Sequence, residues 1–152
     1  MAQRCVLLVL AFILCHVTFG VKLPKFFYVA KSGATLEQCR RSCDATSGGA
    51  YPATILSAAD NAAIGALFPS NSAYRGVIGG TRLVGNNNSF RWVAGPLQSE
   101  SNGLGRMFFN GTTLGNGYCV SGTYCHFSSG EPNADPTHPD GPEAQLEFTS
   151  AD

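Results

Sequence analysis

Two side chains with oxygen donors flank a single proline near the C-terminal end of the sequence. They are Glu131 and Asn133, and the ring of Pro132 between them fixes its own backbone and restricts Glu131 to extended conformations. A third oxygen donor, the carboxylate of Glu143, follows further along the chain. Calcium in proteins takes about six to eight oxygen ligands from carboxylates, amide carbonyls, waters or hydroxyl groups. The three side chains supply part of such a shell, so they predict a site for a divalent cation.

The distribution of charge favours a cation site in this part of the chain. The formal net charge is zero, and charged residues make up only 13% of the sequence. No Lys or Arg follows Arg106, whereas these acidic residues do: Glu131, Asp135, Asp140, Glu143, Glu147 and Asp152. Taken alone, this pattern is more typical of a solvated acidic surface, and it is the proline motif that makes a cation site the better explanation. The absence of a basic run argues against a nucleic-acid partner.

The N-terminus has the features of a secretory leader. A positively charged start precedes an apolar run over residues 6–17, and small residues occupy the −3 and −1 positions of a cleavage after Gly20. The run is shorter than the roughly twenty apolar residues that span a bilayer, and no second hydrophobic segment follows it. We therefore predict a signal peptide over 1–20 and a mature chain without a membrane span, secreted or held at the cell surface. An uncleaved signal anchor is the alternative.

Secretion has consequences for the cysteines and for two asparagines. Loss of the leader would leave four cysteines, namely Cys39, Cys43, Cys119 and Cys125. In an oxidising compartment these four cysteines predict disulfide bonds, for which three pairings are possible. Cys119 and Cys125 are close enough in sequence to form a disulfide that closes a local loop. The sequons that begin at Asn87 and Asn110 agree with secretion and predict a glycoprotein whose glycans stand on exposed loops.

The first half of the mature chain predicts one strand and one helix. Residues 25–31 are aromatic and β-branched, which favours a strand. Thr35 and Gln38 have the spacing of a capping box at the start of a helix. Cys39 and Cys43 share the inward face of that helix. A bridge between them would be near the limit of disulfide geometry, so at least one is predicted to pair elsewhere.

The elements that follow lead up to the proline motif. Ser57 is a predicted N-cap for a second helix that runs to Phe68, before a proline. Residues 77–81 and 90–93 have the composition of two further strands, and we assign Trp92 in the second one to the core. The stretch 96–130 is rich in Gly, Ser, Asn and Thr and shows little periodicity, so it is predicted to be one long loop.

The sequence Glu131-Pro132-Asn133 resembles the sugar-and-calcium motif of C-type lectin domains, in the version that favours mannose-like sugars. The order of predicted elements over 25–152 is similar to the layout of that family, with 77–79 in the place of its Trp-Ile-Gly strand. The resemblance implies an α+β, C-type lectin-like fold with two helices, small antiparallel sheets and a long irregular loop region. It also implies that Pro132 is cis, and that Glu131, Asn133 and Glu143 bind both the metal and the sugar hydroxyls.

Three features depart from the family pattern. Gln145 stands where many members have a cysteine, the segment between Asn133 and Glu143 is stretched, and the sequence stops at Asp152 before the family's Trp-Asn-Asp strand. In the family that strand carries two more calcium ligands, and Asp152 does not take their place. We therefore expect an incomplete domain whose calcium shell is under-filled, with weak or no Ca²⁺ binding by this chain.

The resemblance implies binding of glycans or glycoproteins without catalysis. A calcium-independent, protein-binding lectin-like module is one alternative, and an inactive truncated lectin fragment is another. A glycosidase could use Glu131 and Glu143 as paired carboxylates. The flanking sequence is polar and offers no apolar pocket that would raise a carboxyl pKa, so we predict that the protein is not an enzyme. His126 and His138 are predicted to be bystanders.

Overall fold

The computed structural model describes residues 4–9, 25–30, 35–46, 49–68, 75–83, 89–132 and 145–149. These residues form an α+β architecture, with three helices beside one mixed sheet. The helices are α1 (Leu36–Thr46), α2 (Ala58–Gly65) and the single turn α3 (Glu100–Gly103), which follows a 3-10 helix (Gly95–Ser99). The strands are β1 (Arg4–Val9), β2 (Lys25–Ala30), β3 (Tyr51–Pro52), β4 (Arg75–Leu83), β5 (Ser89–Trp92), β6 (Arg106–Asn110), β7 (Tyr118–Cys119) and β8 (Gln145–Thr149).

Strand β4 is the centre of the sheet. The strand order is β2-β1-β4-β5-β6-β7, while β3 pairs with β1 and β8 pairs with β4. The pairing of β1 with β4 is parallel, and the other described pairs are antiparallel. Gly80 lies opposite Trp92 in the β4–β5 pair, and Phe90 lies opposite Phe109 in the β5–β6 pair. After the antiparallel run β4–β5–β6–β7, the chain continues through the Cys119–Cys125 loop to the segment that carries Glu131.

Both predicted helix starts are confirmed by side-chain hydrogen bonds. The N–H of Gln38 donates to Oγ1 of Thr35 at 3.3 Å, and the N–H of Thr35 donates to Oε1 of Gln38 at 3.1 Å. In α2 the N–H of Asp60 donates to Oγ of the N-cap Ser57 at 3.1 Å. These bonds satisfy N–H groups that a helix start leaves without an internal partner. Helix α2 ends at Gly65, earlier than the sequence predicted.

The two cysteines of α1 have different states. Both side chains are fully buried, as the helical spacing predicts. Cys39 is disulfide-bonded, whereas Cys43 is a free thiol. They are therefore not bonded to each other, which agrees with the geometric argument against such a bridge. Burial raises the pKa of the Cys43 thiol to about 12.

The core is rich in aromatic side chains. The Trp92 side chain is 4% exposed and stacks on Phe108, with 4.5 Å between ring centroids, so its assignment to the core is confirmed. Helix α2 contributes Ile64 to the same cluster. The buried members of the cluster are Ala53, Ile55, Ile64, Phe68, Ile78, Phe90, Trp92, Leu97, Phe108, Phe109 and Phe148. Side chains from the segment after β7, among them Tyr124 and Phe127, pack against this core.

The prediction of one long loop over 96–130 was wrong. This region contains β6, which pairs with β5 along its length, and the short strand β7. The consecutive residues Phe108 and Phe109 are both buried. The register of the β5–β6 pair shifts between Phe90 and Arg91, and such an irregularity breaks the strict alternation of inward and outward side chains. Without that alternation the sequence lacked the pattern that identifies a strand.

The N-terminal segment contributes a strand to the sheet. Residues 4–9, which lie within the predicted leader, form β1 between β2 and β4. Cleavage after Gly20 stays a prediction, and it would remove β1 from this position. Within the described ranges, no helix has both the length and the apolar character needed to cross a membrane.

Candidate functional site

The segment that carries Glu131 begins with a tight turn. The N–H of Glu131 donates to the C=O of Ser128 at 2.9 Å, and Gly130 has a φ of 87°. A positive φ at the third position of such a turn is typical of type II geometry, where glycine is favoured. Glu131 is partly buried at the end of this turn. The glycine therefore sets the direction in which the chain enters the proline motif.

The core anchors this segment immediately before the turn. The ring of Phe127 makes edge contacts with Phe90 and Phe109, at centroid distances of 5.6 and 5.1 Å. It also stacks on Phe108 at 6.2 Å. Aromatic contacts of this kind contribute about 0.5–1.5 kcal/mol each beyond the burial of area. Phe127 thus fixes the chain four residues before Glu131.

The predicted Cys119–Cys125 disulfide is confirmed, and its loop is fastened to β6. The N–H of Val120 donates to the C=O of Phe108 at 2.9 Å. The hydroxyl of Thr123 lies 2.7 Å from the C=O of Val120 and 3.1 Å from that of Phe108. The disulfide loop therefore holds the approach to Phe127 against the strand whose side chains pack on it.

The hairpin between β6 and β7 reaches the proline motif from the other side. In its loop, Oδ1 of Asn116 accepts the N–H groups of Thr112 and Thr113 at 3.0 and 2.9 Å. At the tip of the loop, the N–H of Leu114 donates to the C=O of Pro132 at 3.1 Å. The Glu131–Pro132 peptide bond is cis, as the resemblance implies, and Pro132 is buried. The motif is thus in contact with an internally bonded hairpin.

The arginines near these strands contact the scaffold. Arg91 donates through Nη1 to the C=O of Gly105 at 2.9 Å and through Nε to Oγ of Ser89 at 3.0 Å. Arg106 forms a bidentate ion pair with Glu100, in which Nε donates to Oε2 at 2.8 Å and Nη2 donates to Oε1 at 2.5 Å. Hydrogen bonding from Arg106 lowers the pKa of Glu100, against an opposing desolvation and with a further contribution from the charge of Arg106. These cations hold β5, β6 and the preceding turn together.

The structure describes two of the predicted site residues. Glu131 and Pro132 are placed as above, whereas Asn133 and Glu143 lie outside the described residues, as does His138. The convergence of Glu131, Asn133 and Glu143 on one metal ion therefore stays a prediction. Across the part of the chain that the structure describes, no three His, Cys, Asp or Glu side chains form a group able to hold a metal. His126 is exposed and stacks on Tyr124.

Comparisons with family models, curated proteins and solved structures find no match for this chain. The resemblance to C-type lectin domains therefore rests on the motif and on the order of elements.

Sequence reasoning missed two features beside the motif. The hairpin tip at Leu114 was not singled out, although the spacing of Thr112, Thr113 and Asn116 is a signal for a loop closed by an Asn side chain. Arg82 was also missed. Arg82 is 7% exposed, and its Nε and Nη1 have no hydrogen-bond partner among the residues that the structure describes.

Proposed function

We propose that the protein binds mannose-type saccharides through a calcium ion held by Glu131, Asn133 and Glu143, on a C-type lectin-like fold. The observation that carries the proposal is the support given to Glu131. The chain is fixed before it by Phe127 and the type II turn, and after it by the hydrogen bond from Leu114 to Pro132. A ligand held in this way loses less conformational freedom when it coordinates a metal.

The chemistry of the site is coordination shared between protein and sugar. A bound calcium ion needs about six to eight oxygens, and the three protein side chains leave positions open for two vicinal hydroxyls of a saccharide. The same Glu and Asn side chains would hydrogen-bond those hydroxyls. Sugar oxygens replace water oxygens that bind the ion about as strongly, so the affinity of one site for the saccharide is modest. Several sites acting together would raise it.

The charge of the chain is consistent with a weak cation site. Acidic residues without compensating Lys or Arg follow Arg106, so this end attracts divalent ions. Three protein ligands leave the shell under-filled. We therefore expect calcium to bind in the range of about 10⁻⁴–10⁻³ M that is usual for extracellular modules, or more weakly.

Retention on immobilised mannose in millimolar calcium, with elution by EDTA, tests this function. Glu131→Gln removes one charged ligand and is expected to abolish retention. Glu37→Gln is the matched control, because Glu37 is an exposed residue of α1 whose ion pairs are with Arg40 and Arg41. Retention that survives EDTA or Glu131→Gln would overturn the proposal, and survival in EDTA would favour a protein-binding module.

A further inference from the structure

The acceptor asparagine of one N-glycosylation sequon lies beside an exposed aromatic residue. Asn110 is the last residue of β6 and lies directly opposite Tyr118 of β7 in the antiparallel pair. Nδ2 of Asn110 donates to the hydroxyl of Tyr118 at 3.0 Å. Tyr118 is 62% exposed, the largest exposed fraction among the large hydrophobic residues that the structure describes. An aromatic ring is thus open to solvent next to an amide nitrogen that can be modified.

The other two residues of the sequon begin the turn of the β6–β7 hairpin. Gly111 has a φ of 138°, and a Cβ there would clash with the backbone of Gly117, so glycine is required at this position. Oγ1 of Thr112 accepts Nδ2 of Asn116 at 2.8 Å. In the folded hairpin, the amide of Asn110 and the hydroxyl of Thr112 are therefore both hydrogen-bonded. An enzyme that needs both groups must act before the hairpin closes.

The hairpin lies away from the part of the sheet that cleavage of the predicted leader would change. The strand order places β4 and β5 between β1 and β6, and β7 follows β6 at the end of the order. Loss of β1 would therefore remove no strand that pairs with β6 or β7, and the contact of Asn110 with Tyr118 does not depend on it. The second sequon, which begins at Asn87, lies outside the described residues.

We propose that Asn110 is glycosylated during secretion and that the first sugar of its glycan packs on the ring of Tyr118. The donor is an oligosaccharide joined through a diphosphate to a polyprenyl lipid. The C1–N bond to Nδ2 forms as the C1–O bond to the diphosphate breaks, the lipid diphosphate leaves with the bonding electrons, and one Nδ2 proton passes to water. The second Nδ2 hydrogen remains for the Tyr118 hydroxyl. The sugar is thereby held beside the ring, where its apolar C–H face loses contact with water.

Expression of the full chain in secreting eukaryotic cells, followed by glycopeptide mass spectrometry, tests the modification. Asn110 is expected to carry a glycan in the wild type and in Thr112→Ser, which keeps the sequon hydroxyl, and to carry none in Thr112→Ala. An unmodified Asn110 in the wild-type chain, whether the chain is secreted or retained, would overturn the proposal. The result does not depend on the proposed calcium site, because neither residue of the sequon belongs to it.

Thermal unfolding of the same material tests the contact with Tyr118. Wild-type protein trimmed by an endoglycosidase to a single sugar is expected to melt about 2–4 °C above Asn110→Gln. The same comparison in Tyr118→Phe, which keeps the ring, should give the same difference, and in Tyr118→Ala it should give none. Each variant is compared with its own sugar-free form, so the effect of the Tyr118 substitution on stability cancels. No difference in the wild type, or one that persists in Tyr118→Ala, would overturn the contact.

Discussion

The backbone N–H of Leu114 donates to the C=O of Pro132 at 3.1 Å and so joins the β6–β7 hairpin to the segment that carries the proposed ligands. The disulfide loop closed by Cys119 and Cys125 lies between the two in sequence. Its bonds to the C=O of Phe108 bring the chain back to the sheet before the motif begins. The hairpin, the disulfide loop and the proline motif are therefore linked parts of one surface.

Replacement of Asn116 by alanine should loosen the hairpin tip. Oδ1 of Asn116 accepts the N–H groups of Thr112 and Thr113, and alanine would leave both to water. We expect a loss of about 1 kcal/mol in the free energy of unfolding, and faster hydrogen exchange at the Leu114 amide. Asn116→Asp keeps the acceptor oxygen and should keep most of the protection. An unchanged exchange rate in the alanine variant would contradict the role given to this side chain.

Replacement of Gly130 by alanine should strain the turn before Glu131. Gly130 has a φ of 87°, and a Cβ there would meet no atom within 4 Å, so the cost is purely conformational. We expect a loss of about 1–2 kcal/mol in the free energy of unfolding, measured by urea denaturation. Calcium-dependent retention on mannose should weaken at the same time.

Gly103 offers a matched control for this prediction. Its φ is 85°, and a Cβ there would also meet no atom within 4 Å. Gly103→Ala should therefore cost a similar free energy of unfolding, yet leave retention on mannose unchanged, because Gly103 belongs to the turn before β6. Equal losses of retention in the two variants would indicate that the effect comes from reduced stability and not from the position of Glu131.

The features that were predictable from sequence are those set by neighbouring residues. The reciprocal hydrogen bonds of Thr35 with Gln38 require only a spacing of three residues on one helix start. The Ser57 cap is local in the same sense, and the Cys119–Cys125 disulfide closes a short loop. Such contacts form whenever the local backbone is correct, so the sequence is sufficient to identify them.

The features that were missed depend on residues far apart in the chain. Strand β6 buries both Phe108 and Phe109 because its register against β5 shifts at Phe90, and nothing within β6 itself reveals that shift. The contact of Leu114 with Pro132 needs the whole hairpin and disulfide loop to be in place. The proposed metal shell also depends on separate segments, and it stays a prediction. Only Glu131 among its proposed ligands lies in the described part of the chain.

The ion pair of Glu100 with Arg106 predicts a defined pH dependence. The pKa of Glu100 is lowered from its ordinary value of 4.5, chiefly because Arg106 donates hydrogen bonds to the carboxylate. A depressed pKa in the folded state gives stability that is present above pH 4.5 and is lost as the pH falls through the folded value. In Glu100→Gln, the free energy of unfolding should therefore fall less between neutral and acid pH than in the wild type, as measured by urea denaturation at a series of pH values. Arg106→Gln should reduce this pH dependence equally. A wild-type pH dependence in either variant would contradict the assignment.

Arg82 occupies an unusual position for a charged residue. It lies opposite Phe90 in the β4–β5 pair, two residues beyond Gly80, whose nearest side-chain neighbours are Trp92 and Leu146. It therefore shares the core-facing side of β4, where it is 7% exposed. Its Nε and Nη1 are buried, and no described part of the chain offers them a hydrogen-bond partner. Buried polar N–H groups that make no hydrogen bond each cost about 1–3 kcal/mol of desolvation, and more on a charged group.

Arg82→Met should consequently leave the free energy of unfolding unchanged or raise it, by up to about 2 kcal/mol, because methionine fills a similar volume without a charge. Urea denaturation measures the effect directly. Arg91→Met is the contrasting variant. Arg91 donates to the C=O of Gly105 and to Oγ of Ser89, so its loss should cost about 1.5–3 kcal/mol. A loss of about 3–5 kcal/mol in Arg82→Met would contradict the prediction, since that is the cost of breaking a buried ion pair.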